Sequence, residues 1–326
     1  MNHIGWFWLA LGACQPEAPP LAPGERPNLL LVLAGAPAAP AASSQRWSSV
    51  WPPTDLSRTA RTALLLGRWP DDQTPRASAN NIAEILEFYG YRSHAYAGPE
   101  PGLDPAARGG FGSWSNEGGC LDTHVDRALG ARSFVEPSFF LVIPDVGCSA
   151  DGRTLGAALK KYGMSQRFVW MVLAPTEADG PSTLDLGGPG REAAPSGELV
   201  STFDLAPTLL RLAGATPPTD TLGLDLLDPE TPGRAGVVQE LSSGDLLLHR
   251  ADARLRVPAA RVDSWAKKGA LEDVVPVVVE HGDLALAAEL EAACHGWWLR
   301  RHATRASDRL GGAAFEELQG SGGYWP

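Results

Sequence analysis

Three short apolar runs limit what this chain can fold into. Asn28 to Ala34 reads Asn-Leu-Leu-Leu-Val-Leu-Ala. Ser138 to Pro144 reads Ser-Phe-Phe-Leu-Val-Ile-Pro, and Arg167 to Ala174 reads Arg-Phe-Val-Trp-Met-Val-Leu-Ala. None alternates apolar with polar residues, so each predicts a strand covered on both faces, the pattern of a parallel sheet between helical layers. Tyr91 to Ala97 predicts a further strand. Helical spacing occupies the stretches between. Asn81 to Gly90 carries Ile82, Ile85 and Leu86 and stops at glycine. Asp122 to Ala131, Arg153 to Gly163 and Ser201 to Gly214 follow, with Asp204 read as the cap of the last and Pro207 in its first turn. This alternation predicts an α/β fold with a mixed, mostly parallel sheet flanked by helices.

The last third reads differently. Leu246 to Val257 has the alternation of a hairpin. Asp273 to Glu280 is apolar but contains Pro276, which suits an edge strand. Asp283 to His302 predicts a long helix bearing Leu290, Trp297 and Trp298. The expected organisation is an α/β domain over 27–235, then a C-terminal subdomain over 236–326 with a small antiparallel sheet and a terminal helix. With 44% hydrophobic and 20% charged residues in 326, the chain can bury a large core. Its formal net charge of −11 disfavours a nucleic-acid partner, because phosphate contacts call for a basic surface.

The first residues predict an address rather than a fold. Ile4 to Leu11 is apolar but too short to span a bilayer, which takes about 20 residues. It suits the core of a signal peptide, and Leu11-Gly12-Ala13-Cys14 fits a bacterial lipobox. On this reading 1–13 are a lipoprotein signal peptide, Cys14 is lipidated, and the Pro/Ala-rich 14–26 form a tether. The chain is then an exported bacterial lipoprotein on the periplasmic or surface face of a membrane, which it contacts through Cys14. The alternatives are a poorly chosen start codon or a buried strand ending at a chance cysteine. Cys120, Cys148 and Cys294 form no Cys-x-x-Cys pair and no zinc spacing. They are either free thiols or one disulfide with an odd cysteine left over.

Several segments, in order, resemble the sulfatase family of the alkaline phosphatase superfamily. Arg26 to Ala34 resembles its first strand. Arg61-Thr62-Ala63-Leu64-Leu65-Leu66-Gly67-Arg68-Trp69-Pro70 is similar to the end of its signature, Arg-x-x-Leu-Leu-Thr-Gly-Arg-Tyr-Pro. Ile82 to Leu86 followed by Gly90-Tyr91-Arg92-Ser93 resembles its step from helix to Gly-Tyr-x-Thr. Asp204-Leu205-Ala206-Pro207-Thr208-Leu209-Leu210 through Ala213-Gly214 resembles its Asp-Leu-x-Pro-Thr-Leu-Leu-x-x-Ala-Gly helix, and Glu317 to Tyr324 resembles its closing Leu-Gly-Tyr.

The resemblance implies a site. The family cleaves sulfate esters with a formylglycine made from Cys or Ser, held by a divalent cation, usually calcium. The cation offsets repulsion between an anionic centre and its nucleophile and needs several carboxylate or amide oxygens. Ser57 falls at the modified position and Arg61 at the signature arginine, with Thr59 where the family has Pro or Ala. Gly35 and Ala36 stand at the positions of two metal-binding Asp. After the strand at Arg167 the chain reads Ala174-Pro175-Thr176, with Glu177 and Asp179 beyond. Gly98-Pro99-Glu100-Pro101-Gly102 stands where the family has a Lys and a His. These departures predict an inactive sulfatase-like protein with no metal or other cofactor. Arg58 and Arg61, with Arg68 nearby, are candidates for holding an anionic glycan, sulfate or phosphate. The rival expectation is an active sulfuric or phosphoric ester hydrolase using Ser57 and calcium. The plainer expectations are that Ser57 only caps a helix, Arg61 pairs with a carboxylate, and Glu177 and Asp179 are solvated loop acids.

Overall fold

A computed structural model describes residues 25–36, 44–69, 81–98, 102–103, 107–130, 136–145, 147–148, 150–176, 180–189, 195–218, 221–231, 233–266 and 276–301. The expected anchor at Cys14, the loop acids Glu177 and Asp179, and the closing segment 317–324 lie outside the described residues. The chain begins β1 (Asn28–Leu33), β2 (Ser44–Trp51), α1 (Ser57–Leu66), α2 (Ile82–Phe88), β3 (Arg92–Ala97), β4 (Ser113–Ser115) and α3 (Leu121–Gly130). It continues β5 (Ser138–Ile143), α4 (Gly152–Lys161), β6 (Phe168–Pro175), β7 (Ser182–Gly187), β8 (Pro195–Ser201) and α5 (Leu205–Leu212). The remainder is β9 (Val237–Glu240), β10 (Leu246–His249), β11 (Arg254–Val257), α6 (Ala259–Ala266), β12 (Val278–His281) and α7 (Ala287–Arg301).

The first eight strands form one sheet in the order β4-β3-β5-β1-β6-β7-β2-β8. β7 is antiparallel to both its neighbours and every other pair is parallel. The sheet is therefore mixed and mostly parallel, as expected. β1 and β5 are buried at every position, because each face carries its own core. Leu29, Leu31 and Leu33 pack with α1, α2 and α5, and Leu30 and Val32 pack with α3 and α4. That split follows the two-residue alternation of a strand.

Local signals set most helix ends. Asn81 accepts from the backbone N–H of Ala83 and Glu84, and Glu84 returns a bond to Asn81 N at 3.2 Å, a capping box. Gly67 closes α1 in the left-handed conformation, φ 65°. The helix expected from Ser201 needs correction. It opens with a 3-10 turn, Thr202–Asp204, and Ser201 caps that turn by accepting from Phe203 N. Asp204 does not cap α5. Its carboxylate accepts from Ser201 N (2.8 Å), Leu224 N (2.7 Å) and the Arg234 guanidinium (Nε, 2.9 Å). Thr208 Oγ1 in turn accepts from Leu226 N at 3.0 Å. The Asp-Leu-x-Pro-Thr segment is thus a clamp on the chain that leads to the C-terminal sheet.

That second sheet is antiparallel, in the order β12-β11-β10-β9. β12 is an edge strand, and Pro276 precedes it rather than interrupting it. Trp297 and Trp298 are half-buried against its apolar face. Cys120 and Cys148 form a disulfide that ties the entry of α3 to the segment after β5, while Cys294 is free and buried. The two sheets meet at a bridge between Thr54 and Glu240, where Glu240 N donates to Pro53 O at 2.7 Å.

Candidate anion-binding cleft

A cleft of about 590 Å³ opens where the strands of the large sheet end. Leu33, Ala34 and Gly35 bring the end of β1 to it, Trp51 the end of β2 and Pro175 the end of β6. Thr202 brings the end of β8, and Ser182 the start of the reversed β7. Open α/β sheets take their ligands at this carboxyl edge. The small sheet closes the opposite side with Gln239, Leu247, Arg254, Arg256 and Glu280.

Helix α1 presents one face to the cleft: Ser57, Ala60, Arg61 and Leu64, at helical spacing. Ser57 is the first helical residue rather than the cap. The cap position belongs to Leu56, which has no side chain able to accept, and the first turn has no acid. Thr54 Oγ1 accepts from Leu56 N at 3.2 Å, and the positive end of the helix dipole meets the cleft at Ser57. Arg61 lies one turn further in. Its Nη1 would stand 3.2 Å from a Cβ at Gly102, whose φ is +63°, so a glycine gives the guanidinium its room. Burial pushes the Arg61 guanidinium down from its usual pKa, and a nearby anion relieves such a penalty. Arg58 is exposed, donates from Nη2 to Leu103 O at 3.4 Å, and is not among the lining residues. Arg68 follows the far end of α1, roughly 15 Å from Ser57 at 1.5 Å per residue.

The wall formed by the small sheet rests on an aromatic stack. The ring of Trp51 lies 3.5 Å from that of buried His249, nearly parallel to it, and the Arg254 guanidinium sits 5.8 Å from the Trp51 centroid. Burial, with Arg254 nearby, pushes the His249 imidazole down to about 3. Its Nε2 lies 3.3 Å from Gln239 Oε1, an oxygen that only accepts, so that nitrogen donates. Arg254 pairs with Glu280 at 2.9 Å, and Arg256 donates from Nε to Asp245 Oδ2 at 2.7 Å.

The described residues of the cleft do not by themselves supply the oxygens that a sulfatase cation takes. Asp55 and Glu280 are the acids lining the cleft among the described residues. Asp55 accepts from Ser242 N and Oγ, both at 2.8 Å, and Glu280 is held by Arg254. Gly35 offers no side-chain oxygen at the end of β1. Among the described residues no group of three or more His, Cys, Asp and Glu is arranged to hold a metal. At the family's Lys and His position, the Asp145 carboxylate fills the space a side chain at Gly98 would need, 2.5 Å from its Cβ.

Sequence reasoning missed Thr202. It is 3% exposed and is among the lining residues, and its Oγ1 is shut off from solvent without a hydrogen-bond partner. Its neighbour Asp204 carries the motif, and nothing in the sequence sets this threonine apart. Arg254 and Trp51 were also unmarked, since they reach the cleft only through the packing of the two sheets.

No family model and no curated protein matches this sequence. Solved structures do. One is from the core locus by which Bacteroides thetaiotaomicron metabolises multiple glycosaminoglycans; it is 15% identical, with a TM-score of 0.64, over 88% of this chain and 100% of that one. Ps i-CgsB in complex with k-i-k-neocarrahexaose is 12% identical, with a TM-score of 0.58, over 87% and 93%. The phosphonate monoester hydrolase of Silicibacter pomeroyi is 14% identical, with a TM-score of 0.57, over 87% and 96%. A 2-O GAG sulfatase and an alkaline phosphatase superfamily protein of Vibrio parahaemolyticus match as well. The chain therefore has the fold shared by sulfatases and their alkaline phosphatase superfamily relatives.

Proposed function

We propose that this chain is a sulfatase-like protein that binds an anionic ligand in the cleft without hydrolysing it. The carrying observation is the donor set of the cleft. Arg61 and the start of α1 line one side, and Arg254 and Arg256, bridged to Glu280 and Asp245, line the other. A helix start beside guanidinium groups attracts oxoanions. Guanidinium groups suit the paired oxygens of a sulfate or phosphate. The ligand class is a sulfate or phosphate group, free or carried on an anionic glycan. The neighbour solved with a neocarrahexaose supports the glycan form. Ser57 and Arg61 form the inner contacts and Arg58 stands at the rim.

Ester cleavage asks for more. Without a cation at the reacting centre, several kcal/mol of transition-state stabilisation are lost. A loss of about 5 kcal/mol leaves a few parts in ten thousand of the rate. The test is hydrolysis of an aryl sulfate and an aryl phosphate with calcium, magnesium or manganese added. The expected result is no turnover above background. Metal-dependent turnover that disappears in Ser57→Ala would establish the rival, a hydrolase using Ser57.

The location belongs to the same proposal. We read the protein as an exported lipoprotein held at a membrane by Cys14. A disulfide suits an oxidising exterior compartment, and no helix among the described residues is long and apolar enough to cross a membrane. Cys14→Ala should release the protein from the membrane fraction; an unchanged fraction would refute the anchor.

A further inference from the structure

We infer that Trp51 is a stacking platform for a sugar ring, so that the anion enters the cleft carried on a saccharide; the inference rests on the anion-binding reading above. Three observations carry it. The first is the ring itself. Trp51 lines the cleft and is only half-buried. Its indole N–H makes no hydrogen bond among the described residues and is open to solvent. The second is how the ring is held. His249 and Arg254 stand opposite each other in the β10–β11 pair, so both side chains leave the same face of the small sheet. The imidazole lies nearly parallel to the indole at 3.5 Å, and the guanidinium 5.8 Å from its centroid. His249 is itself buried and bonded to Gln239. The indole is therefore presented already ordered, and little side-chain entropy remains to be lost on binding. The third is size. The cleft's 590 Å³ falls within the roughly 300–1,000 Å³ of sites for small organic ligands, and a bare oxoanion leaves most of it unfilled.

The groups around the ring select a sugar over other flat ligands. Gln239 spends its Oε1 on His249, and its amide N–H groups make no hydrogen bond among the described residues and are open to solvent. Glu280 is exposed and pairs with Arg254; Asp55 is exposed and accepts from Ser242. A carboxylate has about four lone-pair sites, so each keeps room for another donor. Donors and acceptors thus stand together on this wall. A hydroxyl is both, so the set suits a polyhydroxylated ring. The C–H face of that ring packs on the electron-rich face of the indole, and its hydroxyls bridge amide and carboxylate. An aryl ring would stack as well, but it would give the carboxylates no donor.

The experiment titrates the full chain by calorimetry with inorganic sulfate, 4-nitrophenyl sulfate and two sulfated hexasaccharides, one from κ-carrageenan and one from chondroitin 4-sulfate. The parent should bind at least one hexasaccharide about tenfold or more tightly than inorganic sulfate. In Trp51→Ala that preference should fall about tenfold, the scale of one lost ring contact. Trp51→Phe, which keeps a ring, should retain most of it. Glu280→Gln, at an exposed position of an edge strand, is the second variant. It should bind inorganic sulfate more tightly, since a repelling charge is gone. It should bind the hexasaccharide more weakly, since a charged acceptor has become a neutral one. Should Trp51→Ala fail to fold, these opposite shifts decide alone. If the parent binds none of the four ligands, the anion-binding reading itself fails. If the parent binds the hexasaccharides no better than sulfate, if Trp51→Ala keeps the preference, or if Glu280→Gln moves both affinities the same way, the reading stands and the platform is refuted. An equal dependence on Trp51 for 4-nitrophenyl sulfate would make the ring an aryl site and refute the sugar.

Discussion

The two sheets are built on opposite plans, and the cleft exists because they differ. In the large sheet, β1 and β5 are buried at every position and both faces are covered by helices. In the small sheet, β11 alternates: Leu255 and Val257 are buried while Arg254 is half-buried and Arg256 exposed. A strand covered on both faces has no position to spare for charge. A strand covered on one face presents every second residue outward. The large sheet can therefore supply a floor, strand ends and a helix start, while charge at the opposite wall comes from the small sheet. The lesson is that two sheets of opposite plan can divide the parts of one cleft between them.

The junction between the sheets gives the largest expected effect. Asp204 is fully buried and pairs with Arg234, which leads into β9. Asp204→Ala leaves the largely buried Arg234 guanidinium without its carboxylate, with Leu222 O as its remaining acceptor, and should cost about 3 kcal/mol, read from the shift in a urea unfolding midpoint. A change below about 1 kcal/mol would mean that the two sheets are held together by other contacts.

The large sheet has its own covalent tie. Cys120 and Cys148 are 28 residues apart, and loss of a link closing a loop of that size costs roughly 3.6 kcal/mol by the loop-entropy account. The double Cys→Ser variant should show that loss in unfolding and leave sulfate affinity unchanged. A change in affinity would connect that side of the sheet edge to the cleft.

Acid should strike the small sheet. His249 has a folded pKa of about 3 against 6.5 unfolded. As pH falls from about 6.5 toward 3, the unfolded chain takes up a proton that the folded chain refuses. The stabilisation is fully present above that window and is lost through it, reaching roughly 3 kcal/mol at about pH 4. In His249→Phe, which keeps a ring beside Trp51, this acid slope should be absent. If parent and variant lose stability in parallel, other groups control it.

The smallest effect separates charge from packing. Arg254→Ala removes a half-exposed ion pair, so stability should change by less than about 1 kcal/mol, while sulfate affinity drops a few-fold. Equal affinity would remove the small sheet from the site.

The same contrast explains what could be read from the sequence. β1, β5 and β6 announce themselves because each is an unbroken apolar run. β2 reads Ser-Gln-Arg-Trp-Ser-Ser-Val-Trp and buries Ser44, Trp47 and Val50, with a register shift that breaks any simple period. β7 ends at Gly187, where a Cβ would strike the Trp170 ring, a constraint visible only in the packed sheet. Ser57 and Arg61 are legible because their spacing belongs to one helix. Thr202, Trp51 and Arg254 are not, since they converge from strand ends far apart in the chain. Asp204 is legible as a motif residue, but its role as a clamp depends on Arg234, thirty residues on.

The most direct test is a crystal structure of the full chain grown with selenate, a heavy stand-in for sulfate, and calcium. The account predicts selenate at the start of α1, in contact with the Arg61 guanidinium, with no calcium beside it. A calcium ion bridging the selenate to carboxylate oxygens near Ser57 would contradict it.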